Sequence, residues 1–409
     1  MSSLIAQHPV LIVAVIKVVL VLLVLLTSIA YLTWFERKVV AHMQSRWGPE
    51  RVGPHGLLQP LADGVKFLFK EDPTPAGADR FVYFLAPFLS LSLALSTIAV
   101  IPFGPSEVVI FGVSTSMSIA EINLSLLVVF AITSLSVYGV ALAGWASNSK
   151  YPLLGGLRSS AQMLSYELAL TMSVVGIVLL SGTFSLRSIV MAQQGTVWGF
   201  IPRWFVFSPT MPQFAGFLCF FIAALAETNR VPFDLPEAET ELVAGFHTEY
   251  ASFKFAMFFM AEYAAMVTVS CVATLLFFGG WLSPFPEIHA FHWTHYLPTA
   301  LAGAGGLLLV IHGLRYHNLF GRVLLPVLGV AILGAGLICA LPGVNPLIQG
   351  PFWLLSKVFC FLFVYVWIRG TLPRFRYDQL MAFGWKVLLP VSLANVVVTS
   401  LLILLREQR

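Results

Sequence analysis

Long apolar runs separated by shorter polar segments dominate the chain. Each run is about 20 residues long, which is the length that a helix needs to cross roughly 30 Å of hydrocarbon at a rise of 1.5 Å per residue. The pattern predicts an all-α polytopic membrane protein with about ten transmembrane helices. The predicted spans are 9–33, 81–101, 119–143, 162–181, 210–227, 253–280, 297–312, 322–341, 351–370 and 384–405.

The composition supports this class. Hydrophobic residues make up 58% of the 409 positions and charged residues only 10%, against about 25% charged residues in soluble domains. A soluble core could not bury that much apolar surface. The one charge in the first span, Lys17, lies close enough to its end to reach the headgroups. We expect no cleavable signal or basic presequence ahead of this span.

The placement of the basic residues predicts the orientation. If the loop 35–79 faces the cytoplasm, 17 of the 23 Lys and Arg residues lie on that side and four on the other. This asymmetry is the positive-inside bias of membrane proteins. We therefore expect a multi-pass protein of the bacterial cytoplasmic (inner) membrane with both termini on the periplasmic side.

Two long loops, 35–79 and 227–252, are both expected on the cytoplasmic side, and long structured loops often carry function. Residues 57–69 of the first loop have the pattern of an amphipathic interfacial helix. Its apolar face carries Leu57, Leu58, Leu61, Val65 and Leu68. Either the helix lies among the lipid headgroups or it walls a chamber into which polar side chains point, and the sequence leaves both open. The side chains concerned are Glu36, Arg37, Asp63 and Lys66.

Two acids fall inside predicted spans, Glu167 in the fourth and Glu262 in the sixth. A charge there costs roughly 2.5–3.5 kcal/mol on insertion scales, so such residues are functional candidates. The alternative is a protonated glutamic acid that bonds to a neighbouring helix. Glu121 is a weaker candidate because it lies near a helix end.

The segment 227–241 concentrates five acids, Glu227, Asp234, Glu237, Glu239 and Glu241, around one base, Arg230. Pro232 and Pro236 end the helix of the fifth span, and Glu237 and Glu241 then share a helical face. Carboxylates held close together in a poorly solvated site cannot all ionise, so they can take up and release protons. The alternative is a solvated acidic loop. Glu249 extends the acidic character toward the sixth span.

Several chemistries find no support in the sequence. The four cysteines lie in apolar segments without C-x-x-C spacing, and His289, His292 and His295 are more typical of an interface than of a metal site. The sequence shows no phosphate-binding loop, nucleophile constellation or facing histidine pair for a haem. We expect no metal site and no redox centre in this chain.

Six motifs in order resemble the H subunit of bacterial NADH:quinone oxidoreductase (respiratory complex I), which is equivalent to NADH dehydrogenase subunit 1 of the mitochondrial complex. The resemblance covers residues 10–285 and 350–405. The motifs are Glu36-Arg37-Lys38, the Arg51–Gly64 segment, Gly144–Tyr151, Ser165-Tyr166-Glu167, Glu227–Glu241 and Leu372–Asp378.

The resemblance implies a membrane component of a proton-translocating enzyme that anchors the hydrophilic arm and forms a chamber for ubiquinone or menaquinone. It implies that FMN and iron–sulfur clusters lie in partner subunits, that the chain binds no cofactor of its own, and that small membrane subunits and antiporter-like subunits are further partners. Carried over by motif, the quinone-binding residues are Glu36, Arg37, Asp63, Lys66, Glu227 and Arg230. The proton path would comprise Glu167, Asp234, Glu237, Glu239, Glu241, Glu249 and Glu262.

Two departures from the family pattern stand out. The family has eight spans, so the two spans within 286–350 form an extra hairpin between core parts 1–285 and 351–409. His55 stands where the family usually has a large apolar residue. Two rival functions are the anchor subunit of a membrane-bound hydrogenase-type complex, which the intact 227–241 motif disfavours, and a standalone secondary transporter, which should show an internal repeat.

Overall fold

The protein is described here by a computed structural model that covers residues 9–110, 113–197, 199, 201–208, 212–234, 243–285 and 289–407. Within these ranges, nine helices are long and apolar enough to cross a membrane, and a tenth apolar helix is shorter. The helices are α1 (Pro9–Met43), α2 (Gln59–Phe69), α3 (Arg80–Thr97), α4 (Ser125–Ala146), α5 (Lys150–Ser181), α6 (Leu186–Ala192), α7 (Phe214–Glu227), α8 (Ser252–Phe277), α9 (Leu297–Leu314), α10 (Leu319–Cys339), α11 (Asn345–Thr371), α12 (Tyr377–Phe383) and α13 (Leu389–Glu407).

Sheet is confined to two small antiparallel pairs within the described ranges. Strand β1 (Val108–Ile110) pairs with β2 (Val113–Thr115), and β3 (Thr196–Val197) pairs with β4 (Ile201–Pro202). The β1–β2 pair lies in the segment between α3 and α4. The predicted all-α polytopic class is therefore confirmed.

Several predicted boundaries differ from the observed ones. Helix α1 continues to Met43, so Glu36 lies on a helix and not in a loop. Helix α4 begins at Ser125, six residues later than predicted. Helix α5 begins at Lys150, twelve residues before the predicted start. Pro152 lies in its first turn, where backbone N–H groups have no partner within the helix, so the proline does not interrupt it.

Helix α8 forms the centre of the bundle and is its most buried span. It contacts α1, α2, α3, α6, α7 and α11. Every residue from Met266 to Phe277 is buried. Side chains on α8 can therefore contact residues of several other helices.

Helix α2 is the predicted amphipathic helix, and none of its residues is buried. Leu61 and Leu68 are each 67% exposed and Phe69 is 86% exposed. Such an apolar face is expected where a helix lies against lipid. The opposite face carries Asp63, which bonds to α1.

Helices α9 and α10 form a hairpin within residues 286–350 and pack mainly against each other. Their backbones approach closely at Gly306 and Gly329, where a methyl group on Gly306 would lie 2.8 Å from the Gly329 carbonyl oxygen. Small residues permit this kind of contact between membrane helices. The hairpin meets the rest of the chain mainly near its two ends.

Candidate functional site

A buried carboxylate on α1 is the centre of the site. Glu36 is 6% exposed and lies two turns before the end of the helix. The hydroxyl of Tyr263 donates a 2.6 Å hydrogen bond to its Oε2, the Arg369 guanidinium pairs with its Oε1, and Nη1 of Arg230 lies 3.8 Å from Oε2. These residues and Glu262 are called the Glu36 cluster below.

Arg230 links the two acids of the Glu36 cluster. Its Nη2 lies 3.9 Å from Oε2 of Glu262, and its guanidinium lies 4.1 Å from the centroid of the Tyr263 ring. Two guanidinium groups thus face two carboxylates. Because burial of an unpaired ion is costly, this balance allows charged groups to stay inside the bundle.

The turn after α7 explains the position of Arg230. Asn229 adopts a left-handed conformation with φ 48°, and the N–H of Arg230 donates to the Leu225 carbonyl at 3.3 Å. This is the hydrogen-bonding pattern of a helix C-cap, in which asparagine is tolerated. Gln162 holds the turn from α5, since its side-chain amide donates to the carbonyls of Ala226 at 2.8 Å and Phe233 at 2.9 Å.

A cavity of about 70 Å³ lies between α3, α4, α7 and α8. Glu227 and Glu262 both line it. Its remaining polar lining consists of Ser90, Thr97, Thr133, Ser136, Thr228, Asn229 and Thr268. The space suffices for several water molecules, and the hydroxyl groups supply the polar partners that buried water requires.

Two adjacent residues of α4 each bind one acid. The Thr133 hydroxyl donates to Glu227, which lies within electrostatic range of Glu167. The Ser134 hydroxyl donates to Oε1 of Glu167. The structure thus connects five predicted residues in series, from Glu36 through Arg230, Glu262 and Glu227 to Glu167.

The other predicted quinone-site residues lie closer to the surface. Nη1 of Arg37 is 2.8 Å from Oδ2 of Asp63, and these side chains are 51% and 27% exposed. Lys66 is exposed. Arg37 directly follows Glu36 on α1. Its ion pair with Asp63 is separate from the Glu36 cluster and more solvated.

The remaining predicted proton-path residues are dispersed. Asp234 is buried and pairs with Nη2 of Arg374 at 3.1 Å. Glu249 lies beside a second buried cluster, where its backbone carbonyl accepts a 2.7 Å hydrogen bond from the Tyr83 hydroxyl. The three acids Glu237, Glu239 and Glu241 lie outside the described residues.

Tyr250 anchors the loop before α8. Its ring stacks on Tyr83 at 4.2 Å, and its hydroxyl donates to the Tyr83 carbonyl at 3.2 Å. Burial raises the pKa of Tyr250. The phenol therefore remains a neutral hydrogen-bond donor at physiological pH.

Sequence reasoning missed four residues that hold the acids: Tyr263, Arg369, Thr133 and Ser134. Arg369 lies in the last turn of α11, where a basic residue is also typical of membrane topology. Tyr263 directly follows Glu262, so the acid predicted inside the sixth span was the only sequence signal that pointed to this tyrosine. Among the described residues, no group of three His, Cys, Asp or Glu side chains is arranged to hold a metal ion.

Comparison with known proteins shows the family. Residues 16–400 match the family described as NADH dehydrogenase. The chain is 51% identical over 391 residues to a Solibacter usitatus protein named as an H subunit of NADH-quinone oxidoreductase, and the match covers 96% of each chain. It is 50% identical over 406 residues to a Koribacter versatilis protein with the same kind of name, with 97% of this chain and 98% of the relative covered. The chain therefore belongs to the NADH dehydrogenase family.

Proposed function

We propose that this chain is the membrane subunit of a proton-translocating NADH:quinone oxidoreductase, in which it forms the membrane part of the quinone chamber and the start of the proton path. The relatives' names supply the enzyme. The observation that carries the site is the line of groups from Glu36 to Glu167.

Quinone reduction to quinol consumes two electrons and two protons. In this proposal, the electrons arrive from an iron–sulfur cluster of a partner subunit, which in turn is supplied through FMN in the hydrophilic arm. Negative charge that develops on the quinone would lie near Arg230 and Arg369, which both face Glu36. The resulting shift of charge favours proton uptake by the neighbouring acids, since coupled carboxylates respond together.

The Glu36 cluster is suited to respond to such a change. The charges of its two acids and two guanidinium groups balance. Arg230 lies 3.8 Å from Glu36 and 3.9 Å from Glu262. If Arg230 moves toward a negative quinone, Glu36 and Glu262 lose part of their stabilisation. Their affinity for protons then rises, because an opposite charge nearby favours the ionised form of a carboxyl.

Ser134 supports two protonation states of Glu167. Its oxygen is within hydrogen-bond distance of the Phe130 carbonyl, at 2.8 Å, as well as of Glu167. A hydroxyl has one proton, so Ser134 donates either to the Glu167 carboxylate or to the Phe130 carbonyl. In the second state a protonated Glu167 donates to Ser134. The hydrogen bonds of Ser134 and Glu167 are satisfied in both protonation states, as a proton relay requires.

The cavity completes the path that we propose. It joins Glu262 to Glu227 through a space whose polar lining consists mainly of hydroxyl groups, and Thr133 and Ser134 connect Glu227 to Glu167. Water in this cavity would carry protons from the Glu36 cluster toward the antiporter-like subunits. Asp234, Glu237, Glu239, Glu241 and Glu249 remain proposed members of the path, and Arg37, Asp63 and Lys66 proposed members of the chamber mouth.

Orientation and surroundings follow the same proposal. The ends of α1, α7 and α11 that carry the Glu36 cluster would face the cytoplasm and the hydrophilic arm, with both termini on the periplasmic side of the bacterial inner membrane. The hairpin within 286–350 would lie outside the family core.

The first test is purification of the tagged protein from native membranes. Co-purification with flavin and iron–sulfur subunits, together with inhibitor-sensitive NADH:quinone activity, supports the proposal. Co-purification with hydrogenase subunits, or recovery of a solitary protein, would overturn it.

A second test addresses the path itself. Glu227→Gln should slow quinone reduction and proton transfer while the complex assembles normally. Glu121→Gln is the matched control, because Glu121 pairs with Arg187 away from the Glu36 cluster. Equal activity in both variants would contradict the proposed path.

A further inference from the structure

The turn at residues 53–56 presents one imidazole in an unusual backbone setting. His55 has φ 52° and stands between Gly53 and Gly56, which have φ 73° and 74°. Left-handed conformations are uncommon for residues with a Cβ, although histidine adopts them more often than most. The indole N–H of Trp34 donates to the His55 carbonyl at 3.2 Å, which fixes the turn to α1.

The His55 imidazole meets a second imidazole on the extra hairpin. Its Nε2 lies 2.8 Å from Nε2 of His312 at the end of α9. The edge of the Tyr316 ring packs against both imidazoles. Pro54 faces Gly321 of α10, where a methyl group on the glycine would lie 3.2 Å from the proline ring. The turn that carries His55 and the α9–α10 hairpin thus touch each other.

This contact holds one end of the hairpin. At the other end, the side-chain amide of Asn345 donates to the His295 carbonyl at 3.0 Å. Between these ends, α9 and α10 pack mainly on each other. The histidine pair is therefore placed where its loss would free one end of the hairpin without dismantling the bundle.

The protonation states of the pair decide whether the contact is attractive. A bond between two Nε2 atoms needs one imidazole that donates and one neutral imidazole that accepts. When both are protonated, neither accepts, and two positive charges face each other. The same contact is then repulsive.

Neighbouring groups also affect whether His55 is charged. Lys38 of α1 disfavours a charged His55 and Glu50 of the first loop favours it, while Lys38 and Glu50 lie 3.6 Å apart. Tyr316 contributes a phenol, and the α10 contact, Gly321, has no titratable group. Burial, followed by His312 and Lys38, lowers the pKa of His55.

We propose that the contact between His55 and His312 is a pH-sensitive latch that docks the α9–α10 hairpin on the turn 53–56 and releases it as the pH falls. The docked state binds fewer protons than the released state, because the pair keeps its bond only while at least one imidazole is neutral, and a released His55 regains its ordinary affinity. Docking is therefore complete above the ordinary histidine pKa of about 6.5 and is lost progressively below it.

The test measures a distance in the intact complex. Spin labels are attached to Arg46→Cys in the first loop and Arg315→Cys beyond α9, with Cys339→Ser and Cys360→Ser as background. Pulsed electron–electron double resonance in lipid nanodiscs gives the distance distribution between the two labels at about pH 8 and about pH 5.5, on either side of the ordinary histidine pKa. A chelator is present throughout, so that a stray metal ion cannot bridge the imidazoles.

We expect a single narrow distribution at the higher pH and a broader distribution with longer distances at the lower pH. His55→Leu and His312→Leu should each abolish this pH response, whereas His317→Asn, which changes a neighbouring exposed histidine, should retain it. An unchanged distribution in the unmodified pair, or a normal pH response in both leucine variants, would overturn the latch.

Discussion

The hydroxyl of Tyr263 donates a 2.6 Å hydrogen bond to Oε2 of Glu36 and thereby joins the first span to the central helix. Tyr263 lies eleven residues past the start of α8, or about 16 Å along the axis at 1.5 Å per residue. Glu36 lies near the end of α1. The bond therefore connects two side chains that are both buried in the bundle, at 6% and 2% exposure.

Removal of this hydroxyl tests whether the connection matters for catalysis. A hydrogen bond to a charged group contributes about 1.5–3 kcal/mol, and 1.36 kcal/mol corresponds to a factor of ten in rate. Tyr263→Phe should therefore lower inhibitor-sensitive quinone reduction about tenfold or more, with unchanged assembly. Tyr138→Phe is the control, because Tyr138 is 62% exposed on α4.

NADH oxidation with a water-soluble electron acceptor separates the two possible origins of a loss. That reaction uses only the hydrophilic arm, so it should stay at the normal level in Tyr263→Phe. If both reactions fall together, the tyrosine supports assembly and not the site.

The pairing of Glu36 with Arg369 predicts a strong energetic coupling. Removal of one partner from a buried ion pair costs about 3–5 kcal/mol, because the remaining charge is left uncompensated. The Arg369 side chain is 41% exposed and Arg230 stays near Glu36, so Arg369→Met should fall at or below the low end of that range. Glu36→Gln in the same chain should restore part of the loss of thermal stability.

A double-mutant cycle on the purified complex provides the measurement. The single variants Glu36→Gln and Arg369→Met and the double variant are compared by thermal unfolding. Strict additivity of the two single effects would show that the pair contributes no coupling, contrary to this prediction.

The sequence predicts most of the architecture because hydropathy alone governs which segments cross a membrane. Both spans of the extra hairpin and the interfacial helix α2 follow from periodicity and length. Boundaries are less predictable, because polar residues such as Glu36 and Lys150 extend helices beyond the apolar core. The start of α5 at Lys150 depends on a turn at Asn148, with φ 47°, that hydropathy does not register.

The candidate site is predictable in its acids and less so in their partners. Glu36, Glu167, Glu227 and Glu262 are conspicuous in the sequence because charge is rare in apolar surroundings. Hydroxyl groups such as those of Thr133 and Tyr263 are common in membrane helices and give no comparable signal. Which acids share a cavity depends on packing between helices distant in sequence, as Glu227 and Glu262 illustrate.

Ser134 provides a direct test of the proposed relay. Ser134→Ala removes the donor to Glu167, and a single hydrogen bond contributes about 0.5–1.5 kcal/mol. We expect quinone reduction coupled to proton transfer to slow by up to about tenfold. Ser160→Ala is the matched control, because the Ser160 hydroxyl donates to carbonyls of its own helix, those of Gly156 and Leu157.

The readout is proton uptake into inverted membrane vesicles, together with the rate of NADH oxidation. Slower proton transfer in Ser134→Ala but not in Ser160→Ala supports the relay. Identical rates in the two variants would show that the Glu167 side chain does not depend on this hydroxyl.

A further prediction concerns stability and is independent of the quinone site. The ammonium group of Lys357 on α11 donates to the carbonyls of Phe278, Gly280 and Leu282 at 2.7–2.8 Å and lies 4.4 Å from the centroid of the Trp204 ring. It thus satisfies three carbonyl groups in the segment that follows α8. Each carbonyl left unsatisfied in a buried position costs about 1–3 kcal/mol.

Lys357→Met keeps the length of the side chain and removes all three donors, so the segment after α8 should lose its attachment to α11. We expect a loss of about 3 kcal/mol or more, visible as a lower unfolding temperature of the detergent-solubilised complex. Lys386→Met, at an exposed position, should leave that temperature unchanged. If the two variants unfold at the same temperature, water or lipid headgroups can replace the ammonium, and the attachment between α8 and α11 rests on the aromatic contacts of Phe278 and Phe361 instead.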